Sequence, residues 1–133
     1  MYLPKSFTPQ KKTGTMQYFR DGKGHVLGID QTTKPKSNPV ADWKAQSKAR
    51  VRGGDFPGYD EVGIEPVDYF KKAADWEFTF NGGGTRQHVN NRGVVTSAHH
   101  AYGFWFQTPD SEWKKYRADV LEPVFASFVP VKD

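Results

Sequence analysis

Residues 73–80 read Ala-Ala-Asp-Trp-Glu-Phe-Thr-Phe, and this run constrains the fold more than any other part of the chain. Trp76, Phe78 and Phe80 alternate with Asp75, Glu77 and Thr79. A period of two marks a strand with one buried face. Two further β-prone runs follow at once, residues 86–96 and residues 101–107, the second carrying Tyr102, Phe104, Trp105 and Phe106. Asn81-Gly82-Gly83-Gly84 and the turn near Ser97-Ala98-His99 separate them. Consecutive strands joined by such short turns pair antiparallel, as a meander. Arg92-Gly93 is expected to bulge the middle strand.

Upstream, residues 15–20 and 25–30 are two short strands around Asp21-Gly22-Lys23-Gly24, and Asp-Gly between β-prone runs is a hairpin signal. Residues 1–14 show no periodicity. Asn38-Pro39 opens a helix, because Asn caps well and Pro at the first helical position forfeits no hydrogen bond. Val40, Trp43, Ser47 and Val51 form its stripe, and Gly53-Gly54 ends it. Within residues 59–70, Val62 and Ile64 alternate with Glu61 and Glu65, while Pro66 implies an edge position or a bulge. After a helix-start cluster at residues 108–112, Trp113, Tyr116, Val120, Leu121, Val124 and Phe128 recur every three or four residues. Pro123 should kink or break the last turns. The fold expected is α+β: an antiparallel sheet of about six strands flanked by helices, in one domain over residues 1–133. The aromatic face of residues 76–80 is expected to pack against the C-terminal helix, leaving Asp75 and Glu77 on a solvated face.

The chain offers little reaction chemistry. It has no cysteine, which removes disulfides, thiolate zinc sites and cysteine nucleophiles. His99 and His100 are adjacent and would point to opposite faces of a strand, with His88 some distance away. There is no HExxH and no GxSxG. Gly82-Gly83-Gly84 lacks the Lys-Ser/Thr and helix start of a phosphate loop. Gly54-Asp55-Phe56-Pro57 and Phe19-Arg20-Asp21 resemble kinase motifs only superficially, and 133 residues are too few for a kinase domain. No catalytic residue, metal site or cofactor is implied. There is no run of 18 apolar residues to span a membrane. The N-terminus lacks the apolar stretch of a signal peptide.

The net charge of +4 is unevenly spread. Residues 1–52 carry 11 Lys/Arg and 3 Asp, whereas residues 53–133 carry 8 Lys/Arg and 12 Asp/Glu. The basic segment could meet an anionic polymer or nucleic acid. Its lysines are scattered, however, and an RNA-recognition strand signature is missing, so nucleic acid is the secondary reading. Aromatics make up 15% of the chain, and most are core by their spacing. The candidates for a ligand-binding surface are Tyr59, Arg86, His88, Asn90, Arg92 and Trp105, aromatic and polar residues near strand ends, for a small molecule or a protein partner.

The succession YFRDGKGHVLGIDQT, NPVADWKAQ, PGYDEV, AADWEFTF, HVNNRGVVT, TPDSEWKKYR and SFVP is distinctive. Over residues 15–130 it resembles the C-terminal extracytoplasmic domains of actinobacterial, Streptomyces-type serine/threonine protein kinases and related secreted proteins. The resemblance implies a Mog1/PsbP-like fold, with a central antiparallel sheet covered by helices on both sides. It also implies an extracytoplasmic sensing or binding role linked to a signalling protein, without catalysis. Relatives often carry a further element ahead of the segment that here begins at Leu3, so the domain is expected to lack an N-terminal element. The resemblance supplies no ligand-binding residues.

Overall fold

A computed structural model describes residues 1–132. Seven antiparallel strands form one sheet: β1 (Thr8–Pro9), β2 (Gln17–Arg20), β3 (Val26–Thr32), β4 (Asp60–Val67), β5 (Lys72–Gly82), β6 (Thr85–Ser97) and β7 (His100–Pro109). Their order across the sheet is β1-β2-β3-β7-β6-β5-β4. Helix α1 (Pro39–Arg52) lies on one face. On the other lies a C-terminal helical run, here α2, made of a 3₁₀ turn (Asp110–Glu112), an α-turn (Trp113–Tyr116), a π-turn (Arg117–Leu121) and a final α-segment (Glu122–Ser127). The α+β class and the helix-covered antiparallel sheet are as expected. The seventh strand is β1, a two-residue edge pair too short to leave a periodic signal.

The meander carries the architecture. β5 and β6 pair without interruption from Lys72↔Val95 to Gly82↔Thr85. The bulge expected at Arg92-Gly93 is therefore absent, and the only irregularity between β6 and β7 lies between Val95 and Ser97. Gly93 serves close approach instead. A Cβ there would stand 3.3 Å from the Trp43 ring, which lies flat over the backbone. β4 is an edge strand, as Pro66 suggested. Its bulge falls between Glu61 and Gly63, which breaks the Val62/Ile64 alternation and leaves Val62 59% exposed.

Each helix covers a different face, and the pairing differs from the sequence expectation. Trp76 and Phe78 are fully buried with Val89 and Phe56, beneath Trp43 and Val51 of α1. The Phe56 ring sits 4.6 Å from Phe78 and 5.1 Å from Phe80. Trp43 donates its indole N–H to the Ala74 carbonyl, 2.9 Å away. The C-terminal helix instead buries Trp113, Val120, Leu121 and Val124 against Leu27, Val94, Tyr102, Phe104 and Phe106. Alternation says that a face is buried; it does not say which helix buries it.

Local chemistry sets both helices. Asn38 caps α1 by accepting the Ala41 N–H at 3.1 Å, with Pro39 in the first turn. The chain turns out at Gly54, whose φ of +79° suits glycine. In α2, Pro123 does not break the helix, which continues to Ser127. The turn ahead of it widens to π geometry, and the Glu122 N–H bonds back to the Arg117 carbonyl. The wider turn precedes the position where a proline ring would clash with an α-helical carbonyl.

Two histidines hold the start of α2. His25, 1% exposed, places Nδ1 2.6 Å from Asp21 and Nε2 3.2 Å from Glu112. Tyr116 stacks on its ring at 3.6 Å. His88 repeats the arrangement, with Nε2 2.6 Å from Glu77, Nδ1 2.8 Å from Asp110 and Trp113 stacked at 4.0 Å. In both cases α2 supplies one carboxylate and one aromatic ring.

Two outcomes follow from this packing. Trp76→Ala empties the centre of the α1-side core and should cost about 3–5 kcal/mol in urea unfolding. Asp21 is the second case. Burial raises its carboxyl, but the N–H groups of Lys23 and His25 and the His25 ring outweigh that and hold it below its ordinary value. A depressed native value adds stability above the unfolded carboxylate range and loses it as the pH falls through the native value. Asp21→Asn should therefore cost about 1–3 kcal/mol at neutral pH, and the gap to the parent should close as the pH drops below about 4.

Candidate functional site

The β5–β6 register decides where the polar side chains go. Asp75 pairs with Arg92, Glu77 with Asn90, and Thr79 with His88. All six project from the face opposite Trp76 and Phe78. The row is not solvated as the sequence suggested. The C-terminal helix runs along its flank, and Asp75, Glu77 and Arg92 are only partly exposed. Burying charges in this way requires partners.

The partners are close. Arg92 donates to both Asp75 oxygens, at 2.7 and 2.9 Å. Its guanidinium lies 3.8 Å from the Phe125 ring centre and 4.9 Å from that of Tyr69. Burial pushes the Tyr69 hydroxyl above its ordinary value, against a smaller opposing effect of Arg92, so Tyr69 stays protonated and donates to the Phe125 carbonyl at 2.7 Å. At the other end of the row stands the Glu77–His88–Asp110 arrangement.

Between these two pairs sits Asn90. It is 6% exposed, and its side-chain amide has no hydrogen-bond partner among the described residues but opens to solvent, whereas the enclosed side-chain atom without a partner is Asn91 Nδ2 on the other face. It opens onto a cleft of about 210 Å³ shared with Asp75 and Arg92 of the sheet on one side and Arg117, Glu122 and Phe125 of α2 on the other. A more open recess of about 500 Å³, lined by Glu77, His88 and Trp113, adjoins it through Arg117 and Glu122. Arg117 and Glu122 face each other loosely, at 3.7 Å, and both are more than half exposed.

His88, Asn90 and Arg92 are thus brought together beside α2. The other three sequence candidates are not. Tyr59 lies on the α1 side, where its hydroxyl accepts the Trp76 indole N–H at 3.0 Å and donates to Glu61 at 2.9 Å. Burial, with Glu61 adding to it, pushes the Tyr59 hydroxyl up to about 12 although the Trp76 N–H opposes the shift. Arg86 ties the β5–β6 turn to the loop before β4, donating to the Gly58 carbonyl, Asn81 and Thr79 at 2.7–2.9 Å. Trp105 packs near Phe56, with the Arg50 guanidinium 5.4 Å from its ring. All three make contacts within the fold and lie away from the cleft beside α2. Asp75 in the cleft, Glu77 in the adjoining recess, and Arg117 and Glu122 between the two complete the surroundings and were not among the sequence candidates. The alternation of residues 75–79 contained a signal for the first two, whereas α2 residues so distant in sequence leave none.

The α1 side has its own groove of about 310 Å³, between Trp43, Asp42 and Gln46 of the helix and the Gly93–Gly103 pair of the sheet. Among the described residues no group of three His, Asp or Glu side chains is placed to hold a metal ion. Nor is any helix there long and apolar enough to cross a membrane.

The fold has solved counterparts at low identity. The protein of unknown function PA94 from Pseudomonas aeruginosa aligns at a TM-score of 0.63 and 10% identity, covering 96% of this chain and 83% of that one. LpqN, involved in cell envelope biogenesis of Mycobacterium tuberculosis, aligns at 0.56 and 11%, covering 92% and 78%. At such identity the likeness concerns the fold alone. No curated protein matches the sequence. The model of the serine/threonine kinase C-terminal domain matches residues 1–130, and the chain belongs to that family.

Proposed function

We propose that this chain is a non-catalytic sensor or binding domain of a signalling protein such as a serine/threonine kinase, acting outside the cytoplasm as one unit. Two findings support the reading. The family is that of a kinase's C-terminal accessory domain rather than its catalytic one. The geometry concentrates its charged side chains into ion pairs and leaves the Asn90 amide facing a cleft without a protein hydrogen-bond partner. The amide carries the proposal. Its polar atoms open to the cleft, so water meets the amide in the free protein and a ligand or partner group can take that place.

The cleft is also placed to report occupancy. Its floor is β5 and β6, and its wall is α2. A ligand bridging Asn90 and Arg117 would tie helix to sheet and stabilise the docked α2 by mass action. That coupling can be passed to an attached domain as a shift in population.

Asn90→Leu separates this reading from a structural one. Leu keeps the branched shape of Asn, is somewhat larger, and removes the amide. The variant should stay within about 1 kcal/mol of the parent's stability, with Tm moved by no more than a few degrees. In a thermal-shift screen of metabolites, cell-wall fragments and the domain's co-purifying proteins, every binder that stabilises the parent should lose its effect on the variant. An Asn90→Leu protein destabilised by about 3 kcal/mol or more would show that the amide supports the fold and would overturn the proposal.

A further inference from the structure

We infer that the cleft beside α2 takes a neutral polyhydroxylated ligand, a saccharide. The inference rests on the binding reading above. Its first ground is charge. Asp75, Arg92, Arg117 and Glu122 line the cleft, two anions and two cations. Asp75 is held by Arg92 through two hydrogen bonds, and Arg117 stands against Glu122. The formal charges of the four cancel, for a phosphate and for a polyamine alike. Neither finds a net field.

The second ground is hydrogen bonding. What the pairs leave unengaged is the Asn90 amide, which offers one carbonyl acceptor and two N–H donors at a single buried point. A ligand group that answers both must itself donate and accept, and a hydroxyl does so by rotating its proton. The partly exposed oxygens of Glu122 and the N–H fork of Arg117 extend the same mixed array along the wall. The third ground is size. A volume of about 210 Å³ holds one six-membered sugar ring with little to spare, and the adjoining open recess of about 500 Å³ gives a second ring somewhere to lie.

The test is nuclear magnetic resonance on the ¹⁵N-labelled chain, titrated to millimolar levels with N-acetylglucosamine, glucose or trehalose, and in parallel with L-alanine and inorganic phosphate. At least one sugar should shift the Asn90 side-chain amide and the Arg117 Nε–H. Its affinity should fall at least tenfold in Asn90→Leu and several-fold in the surface variant Arg117→Ala. Arg117→Ala keeps the test open even where the Asn90 variant folds poorly. Shifts at these resonances from L-alanine or phosphate, with none from the sugars, would keep the cleft as a binding site and overturn its ligand class. Sugar shifts that persist in both variants would overturn the location. Silence in all five titrations would overturn the saccharide and the cleft as a small-molecule site together.

Discussion

The register between β5 and β6 is the constraint on which the rest of the molecule depends. Trp76 pairs with Asn91, Glu77 with Asn90, and Asp75 with Arg92. In this register the aromatic side chains of β5 gather under α1 and the charged ones face their counter-ions on the other side. A slip of one residue would turn every side chain of a strand to the opposite face. Trp76 and Phe78 would leave their aromatic cluster, and Asp75 would lose Arg92. Both the packing and the ion pairs select the same alignment, which leaves few competing folds.

The two faces are then covered unequally. The α1 face is sealed over β5 by Trp43, Phe56 and Val51, and a glycine at 93 lets the Trp43 ring rest on the strand. On the other face α2 packs chiefly on the apolar positions of β3 and β7. The polar row of β5 and β6 therefore lies at its flank, and a cleft forms where helix and sheet part company. The two carboxylate–imidazole–carboxylate arrangements fix where α2 begins, and hence where its Arg117 and Glu122 fall. The site is a by-product of how the helix docks as much as of any one residue.

Much of this was legible in the sequence because it is local. The Asp-Gly turn, the Asn38-Pro39 cap, the alternation of residues 75–80 and the edge position of Pro66 each rest on a few neighbouring residues, and each describes the structure. What failed to show is non-local. Alternation could not tell which helix lies on Trp76. Gly93 carries the same letter whether it serves a bulge or the approach of Trp43, a residue fifty positions away. His25 drew no notice, since only one of its two carboxylates, Asp21, lies near it in the chain. Of the residues around the cleft and its recess, His88, Asn90 and Arg92 are sequence candidates, and they come together because they lie on one strand. The cleft's other wall comes from a helix that no local pattern could place there.

The central claim is that Asn90 is buried, reachable from the cleft and unpaired in the free protein. The most direct measurement is the exchange of its side-chain Nδ2 protons with water in the ligand-free chain, read by nuclear magnetic resonance. The account predicts rapid exchange, direct magnetisation transfer from water and no hydrogen-bond coupling to any neighbouring oxygen. Protected Nδ2 protons, coupled to the Glu77 carboxylate or to a backbone carbonyl, would show that the amide is a structural member of the sheet and would contradict the account.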